Sequence, residues 1–128
     1  ENSVNKTNYL EMLQNFFWPM HYRVKDAKKY YFQQDGASSH TAKSVKSWLS
    51  SKFQERLIDD KIWPPRSPDL SPCDFWLWGY LKSVVYNPIP SNLQELKVNI
   101  DREIRKINVD DLNGVFQNLK KDVRLFWI

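Results

Sequence analysis

Two aspartates, Asp35 and Asp74, have surroundings suited to holding a hard cation. Asp35 closes the aromatic-rich run Lys29-Tyr30-Tyr31-Phe32-Gln33-Gln34 and is followed at once by Gly36. A carboxylate at the C-terminal end of a strand is where an open α/β sheet places its ligands. Asp-Gly is also ordinary turn chemistry, so the dipeptide alone leaves both readings open. Asp74 comes three residues after Ser71, at the start of an apolar-periodic stretch. There it stabilises a helix N-terminus by about 0.3–1 kcal/mol. Alternatively, sharing a face with Trp78 and Leu81, it turns inward as a ligand kept ionised by the helix dipole.

Together the two acids suit Mg²⁺, which accepts few carboxylates and keeps water positions that phosphate oxygens can take. Two such ions about 4 Å apart activate a water or a 3′-hydroxyl and steady the leaving oxygen in phosphodiester chemistry. That chemistry ordinarily uses three carboxylates. Asp59, Asp60 and Asp69 are the other candidates, and turn or surface roles are expected for each. His40, five residues past Asp35, is expected to act as a cap or packing residue, and His21 has no motif around it. With only three glycines and no nucleophile elbow, phosphate-cradling loops and Ser-His-Asp hydrolysis have no support.

The elements that must position these residues follow from periodicity and punctuation. Asn8 with Glu11 predicts a capping box. Leu10, Leu13, Phe17 and Met20 keep helical spacing behind it, and Pro19 predicts an end near Trp18. Residues 29–35 predict a strand and turn, and residues 56–60 a brief second strand beside it and parallel to it. Between them a helix from about His40 carries Ala42, Val45, Trp48, Leu49 and Phe53 as its apolar stripe. The proline-dense segment from Trp63 to Pro72 predicts an ordered extended loop. That loop runs into a helix with Ser71 as N-cap, Pro72 at its first position and a stripe of Leu77, Trp78, Leu81, Val84 and Val85. Two further helices are expected. One opens on Ser91 with Gln94 and buries Leu93, Leu96, Ile100, Ile104 and Ile107. The other opens near Asp110 and buries Leu112, Val115, Phe116, Leu119, Val123 and Phe126. The order is α-β-α-β-α-α-α, an α/β arrangement short of strands.

A 41% hydrophobic content with six Trp supplies a core and argues against disorder, so one domain is expected from 128 residues. A net charge of +4 permits nucleic-acid binding without demanding it. Arg23, Lys25, Lys28 and Lys29 form a loose basic cluster that is either a solvated face or a phosphate track. One cysteine, Cys73, excludes an intrachain disulfide and a zinc site built on cysteine pairs. No apolar run reaches membrane-spanning length, and no membrane association is expected. The start Glu1-Asn2-Ser3-Val4-Asn5-Lys6, without Met or an apolar signal core, reads as the middle of a longer chain.

Two long segments carry a family resemblance. Gln33-Gln34-Asp35-Gly36-Ala37-Ser38-Ser39-His40-Thr41-Ala42 resembles the second-aspartate segment of Tc1/mariner-type DDE transposases. Trp63-Pro64-Pro65-Arg66-Ser67-Pro68-Asp69-Leu70-Ser71-Pro72-Cys73-Asp74-Phe75, continued by Leu77-Trp78-Gly79-Tyr80-Leu81-Lys82, resembles the third-acid segment. The likeness runs from about Tyr9 to the C-terminus, and the two acids are 39 positions apart, a separation the family tolerates. Ser38-Ser39 departs from the proline pair that relatives often show there.

The resemblance implies a partial RNase H-like (DDE) α/β fold lacking its first strands, with C-terminal helices. It makes Asp35 and Asp74 the second and third acids, both metal ligands. It also implies Mg²⁺ or Mn²⁺ as cofactor, DNA as partner, and cut-and-paste DNA movement in the nucleus. The first acid has no counterpart in these residues, nor do the helix-turn-helix domains. The expectation is therefore the C-terminal portion of a catalytic domain, inactive alone and binding metal weakly. A homo-oligomer or a chain supplying the missing strands is a possible partner. The alternatives are a non-catalytic nucleic-acid-binding or oligomerisation module, or a protein-interaction domain that uses an exposed strand edge.

Overall fold

The computed structural model describes residues 3–64 and 66–126, the side chains of 122 and 124–126 excepted. Glu1, Asn2, Pro65 and the side chain of Phe126, invoked above, lie outside that description. The chain divides into two compact units, Glu1–Arg66 and Ser67–Ile128. Its described part is mostly helical, with one small parallel sheet.

In the first unit, helix α1 spans Lys6–Met12. Its cap is Asn5 rather than Asn8: the Asn5 side chain accepts the N–H groups of Thr7 and Asn8, and the Asn8 side chain accepts that of Asn5. Asn8 thus takes the third position of the box, not the first. The helix also outruns the predicted end at Trp18. A π turn, Leu13–Phe17, leads straight into α2, Trp18–Tyr22. The Trp18 N–H bonds to the Leu13 carbonyl, a wider turn that shifts the ladder where Pro19 has no N–H to give. The extra residue also rotates the face beyond it. His21 stacks on Phe17 and lies 5.2 Å from the Phe53 ring, while Met20 is exposed.

Strands β1, Phe32–Gln33, and β2, Leu57–Ile58, pair in parallel, with Phe32 opposite Leu57 and Gln33 opposite Ile58. The expected pairing is present but only two residues long, and Tyr30 and Tyr31 stand exposed outside it. The helix expected from His40 comes as two pieces, α3 at Ser38–Thr41 and α4 at Lys43–Phe53. Ala42 between them is extended. One cause is visible: the His40 carbonyl, which a continuous helix would use, accepts the Gln34 side-chain amide instead. Helix α4 buries Val45, Leu49 and Phe53, each four residues apart, against Leu13 and Leu57. Phe17, Trp18, Phe32 and Trp48 close around this core.

In the second unit, a 3₁₀ turn at Pro68–Leu70 breaks the extended loop and buries Leu70. The Ser71 carbonyl then accepts the N–H groups of Asp74 and Phe75. A second π turn, Cys73–Leu77, runs into α5, Trp78–Val84. Leu81 and Val85 are buried as expected, whereas Trp78 is 47% exposed.

Helix α6 spans Leu93–Lys106, and α7 spans Val109–Phe126. The cap of α6 is Asn92, whose side chain accepts the Glu95 N–H, while Glu95 reaches back to the Ser91 N–H and hydroxyl. The predicted Ser91–Gln94 pair is therefore displaced by one residue. Asn92→Ala should cost about 1 kcal/mol, visible as a lower urea midpoint for the second unit.

The burial pattern of both helices departs from the apolar stripes. On α6, Asn99 and Glu103 are buried while Leu93 and Ile104 are exposed. On α7, Val115 is buried while Leu112 and Phe116 are exposed. Each buried polar residue of α6 has a hydrogen-bond partner. The Asn99 amide donates to the Val85 carbonyl that α5 leaves open at its end, and Glu103 pairs with Arg102 and Lys106. Helix α7 opens on a reciprocal box: Asn108 accepts the Asp110 and Asp111 N–H groups, and Asp111 accepts that of Asn108. No helix of the described residues is long and apolar enough to cross a membrane.

Candidate metal centre and its relatives

Asp35 lies two residues beyond β1, and the turn after the strand shapes its surroundings. Its Oδ1 accepts the Ala37 N–H at 3.1 Å, which ties the carboxylate to the start of α3. The same oxygen meets His40 Nδ1, brought back by one turn of α3. Among the described residues, Oδ2 accepts no hydrogen bond. One carboxylate oxygen is thus fixed, with the side chain 42% exposed.

Two further side chains that sequence reasoning missed complete this cluster. Gln34 donates to the His40 carbonyl and accepts the Tyr9 hydroxyl at 3.0 Å. The Tyr9 ring packs 4.4 Å from the His40 ring. Both Gln34 and Asp35 lie beyond the two-residue strand, so strand alternation gave no signal for their contact. Nothing local linked Tyr9 to them.

Burial first, and then the negative charge of Asp35, push the Tyr9 phenol from 10.0 up to about 12. The unfolded chain releases this proton near pH 10, while the folded chain holds it to about pH 12. Stability should therefore fall as pH rises across that window. Tyr9→Phe should flatten the loss in urea midpoints measured through the same range. An unchanged slope would mean that the Tyr9 phenol is neither buried nor beside Asp35.

Asp74 sits half-buried in the π turn of the second unit, its N–H on the Ser71 carbonyl. It is in the first helical turn, as expected, although Trp78 on its face is exposed. The three alternative acids have the turn or surface roles expected of them. Asp59 accepts the Lys61 N–H and anchors a turn, and Asp69 lies in the 3₁₀ turn. Asp60 pairs with Lys46 at 2.6 Å, and that hydrogen bond holds its carboxyl below the usual carboxylate range. Within either unit, among the described residues, no three His, Cys, Asp or Glu side chains gather into a metal-binding group. Cys73 is exposed.

No family model matches the sequence. Curated relatives do. The Transposable element Tc3 transposase of Caenorhabditis elegans is 40% identical over 85 residues, 66% of this chain and 23% of the relative. The Tcb2 transposase of Caenorhabditis briggsae is 33% identical over 95 residues, 74% of this chain and 33% of the relative. The Tcb1 transposase of the same organism is 24% identical over 119 residues, 93% of this chain and 41% of the relative. The chain spans less than half the length of each of these relatives. Over most of its own length, this chain is a distant homologue of the Tc1/Tcb transposases.

Proposed function

We propose that these residues form the C-terminal portion of a DDE transposase catalytic domain, in which Asp35 and Asp74 are two of three metal-ligating acids. The observation that carries this reading is the setting of Asp35. It follows a parallel strand, its Oδ1 is held by Ala37 and His40, and among the described residues its Oδ2 accepts no hydrogen bond. The homology to transposases supports it independently. In the full fold the two strands would belong to an RNase H-like sheet completed by strands from outside these 128 residues. The same outside segment would supply the third acid.

The donor chemistry fits a hard cation: both groups are carboxylates, suited to Mg²⁺ or Mn²⁺. Once bound, the ion would neutralise phosphate charge and activate a water or 3′-hydroxyl for DNA cleavage and strand transfer. The chain's own contribution is positional. His40 and the Ala37 N–H fix the Asp35 carboxylate, Gln34 orients the turn carrying His40, and the Ser71 carbonyl starts the helix bearing Asp74. DNA, reached in the nucleus, is the proposed partner.

Titration with Mn²⁺, followed by paramagnetic broadening of amide signals, tests the site. Weak binding, roughly millimolar, is expected around residues 35–40 and at Asp74. Asp35→Asn should abolish it while retaining the Ala37 hydrogen bond. Binding that neither Asp35→Asn nor Asp74→Asn alters would remove the catalytic reading in favour of a non-catalytic nucleic-acid-binding module.

A further inference from the structure

An open groove of about 810 Å³ lies on the first unit, away from the Asp35 cluster in its lining: Tyr9, Gln34, Asp35 and His40 take no part in it. The chemistry of its walls is uneven. Lys28, Lys29, Lys52 and Arg56 line it, against one carboxylate, Asp26. That carboxylate is engaged by Lys29 at 3.4 Å.

The remaining cations are balanced by no acid among the described residues. Arg56 spends its Nη1 on the carbonyls of Ala27 and Tyr30, which fixes the guanidinium without neutralising it. Lys52 stands 5.1 Å over the Trp18 ring, a π face rather than a counter-ion. Lys28 makes no ion pair among the described residues. The aromatic side of the groove is Trp18 and Tyr22, and Tyr22 is 72% exposed. Two lining residues, Asp26 and Gln54, hold positive φ angles of 60° and 52° without being glycine. Backbone of this kind costs energy and tends to gather where a chain is shaped around a ligand.

Unneutralised cations beside one exposed aromatic ring, Tyr22, complement one class of ligand with particular economy. Phosphates answer the Lys and Arg charge, and unpaired bases offer flat faces to aromatic rings. A duplex keeps its bases stacked internally and satisfies only the first half of this. We infer that the groove binds a short unpaired nucleic-acid segment, phosphates against Lys28 and Lys52 and a base against Tyr22. This extends the proposed DNA partnership to a second surface, whose lining includes neither Asp35 nor Asp74.

The test is fluorescence anisotropy of the 128-residue chain with a labelled single-stranded oligonucleotide and with the matching duplex, without metal. Tighter binding of the single strand is expected. Tyr22→Ala should weaken it roughly tenfold or more, the scale of one lost base stack, and Tyr22→Phe should restore it. Lys28→Glu, at an exposed position, should weaken it several-fold and lower the salt slope by about one, with melting unchanged. Asp35→Asn should leave this binding intact while abolishing Mn²⁺ binding, so the two readings fail separately. Equal or tighter duplex binding, competition by polyglutamate as effective as by the oligonucleotide, or full affinity in both Tyr22→Ala and Lys28→Glu would overturn the inference.

Discussion

Phe53→Ala is expected to lower the stability of the first unit by about 3–5 kcal/mol. The side chain is 1% exposed at the last residue of α4, where three elements converge. Its ring lies 5.0 Å from Phe32 on β1, 5.8 Å from Trp18 and 5.2 Å from His21 on α2. Removing it opens a cavity whose walls belong to different elements. The cavity therefore cannot close by a single side-chain shift, and the cost should sit at the upper part of the usual range. The two-residue strand pair contributes few backbone bonds of its own, so its parallel register depends on this aromatic cluster. Phe53→Leu keeps most of the volume and should cost markedly less. Urea unfolding followed by tryptophan fluorescence reads both, Trp18 being a direct neighbour. A loss below about 1 kcal/mol for the alanine variant would show that the ring is not part of a packed core.

What could be read in advance follows from how local each determinant is. The stripe Val45, Leu49, Phe53 was legible because a four-residue spacing of apolar side chains admits one helix face and the core lies on it. The strand pairing was legible from two β-prone runs separated by a helix, which require a parallel crossover. The strand lengths were not, because Tyr30 and Tyr31 have high β propensity yet lie outside the two-residue pairing.

Caps failed by small steps for a different reason. Asn5 and Asn8, or Ser91 and Asn92, all carry side-chain oxygens able to accept N–H groups at a helix start, and the entry angle of the chain chooses between them. The inverted burial of α6 was out of reach. Its sequence shows an apolar face, but Asn99 is drawn inward by the Val85 carbonyl, and Glu103 is buried while paired with Arg102 and Lys106 of its own helix. Of the Asp35 cluster, the place of Asp35 just past a strand was legible from the aromatic run before it. Its contact with His40 depends on the turn at Ala37, and Tyr9 arrives from another helix.

Strand cleavage and joining should be absent from the 128-residue chain with either Mg²⁺ or Mn²⁺. The reason is the supply of ligands. Two ions in fixed register need a bridging acid as well as two outer ones, and the proposed site draws only Asp35 and Asp74 from these residues. Asp59 and Asp60 are poor substitutes, one committed to the Lys61 N–H and the other to Lys46. Positioning and charge neutralisation supply most of the rate in phosphoryl transfer, so an incomplete site should be inactive rather than slow. Adding a segment that carries the third carboxylate should produce metal-dependent nicking of duplex DNA. That activity should fall at least about a hundredfold in Asp35→Ala and in Asp74→Ala, because each removes a ligand from both positioning and charge balance. Asp35→Asn should fall comparably, since it keeps the shape and the Ala37 contact but not the charge. Nicking by the unsupplemented chain, lost on Asp69→Ala as well as on Asp35→Ala, would instead place the third ligand in the 3₁₀ turn at Pro68–Leu70.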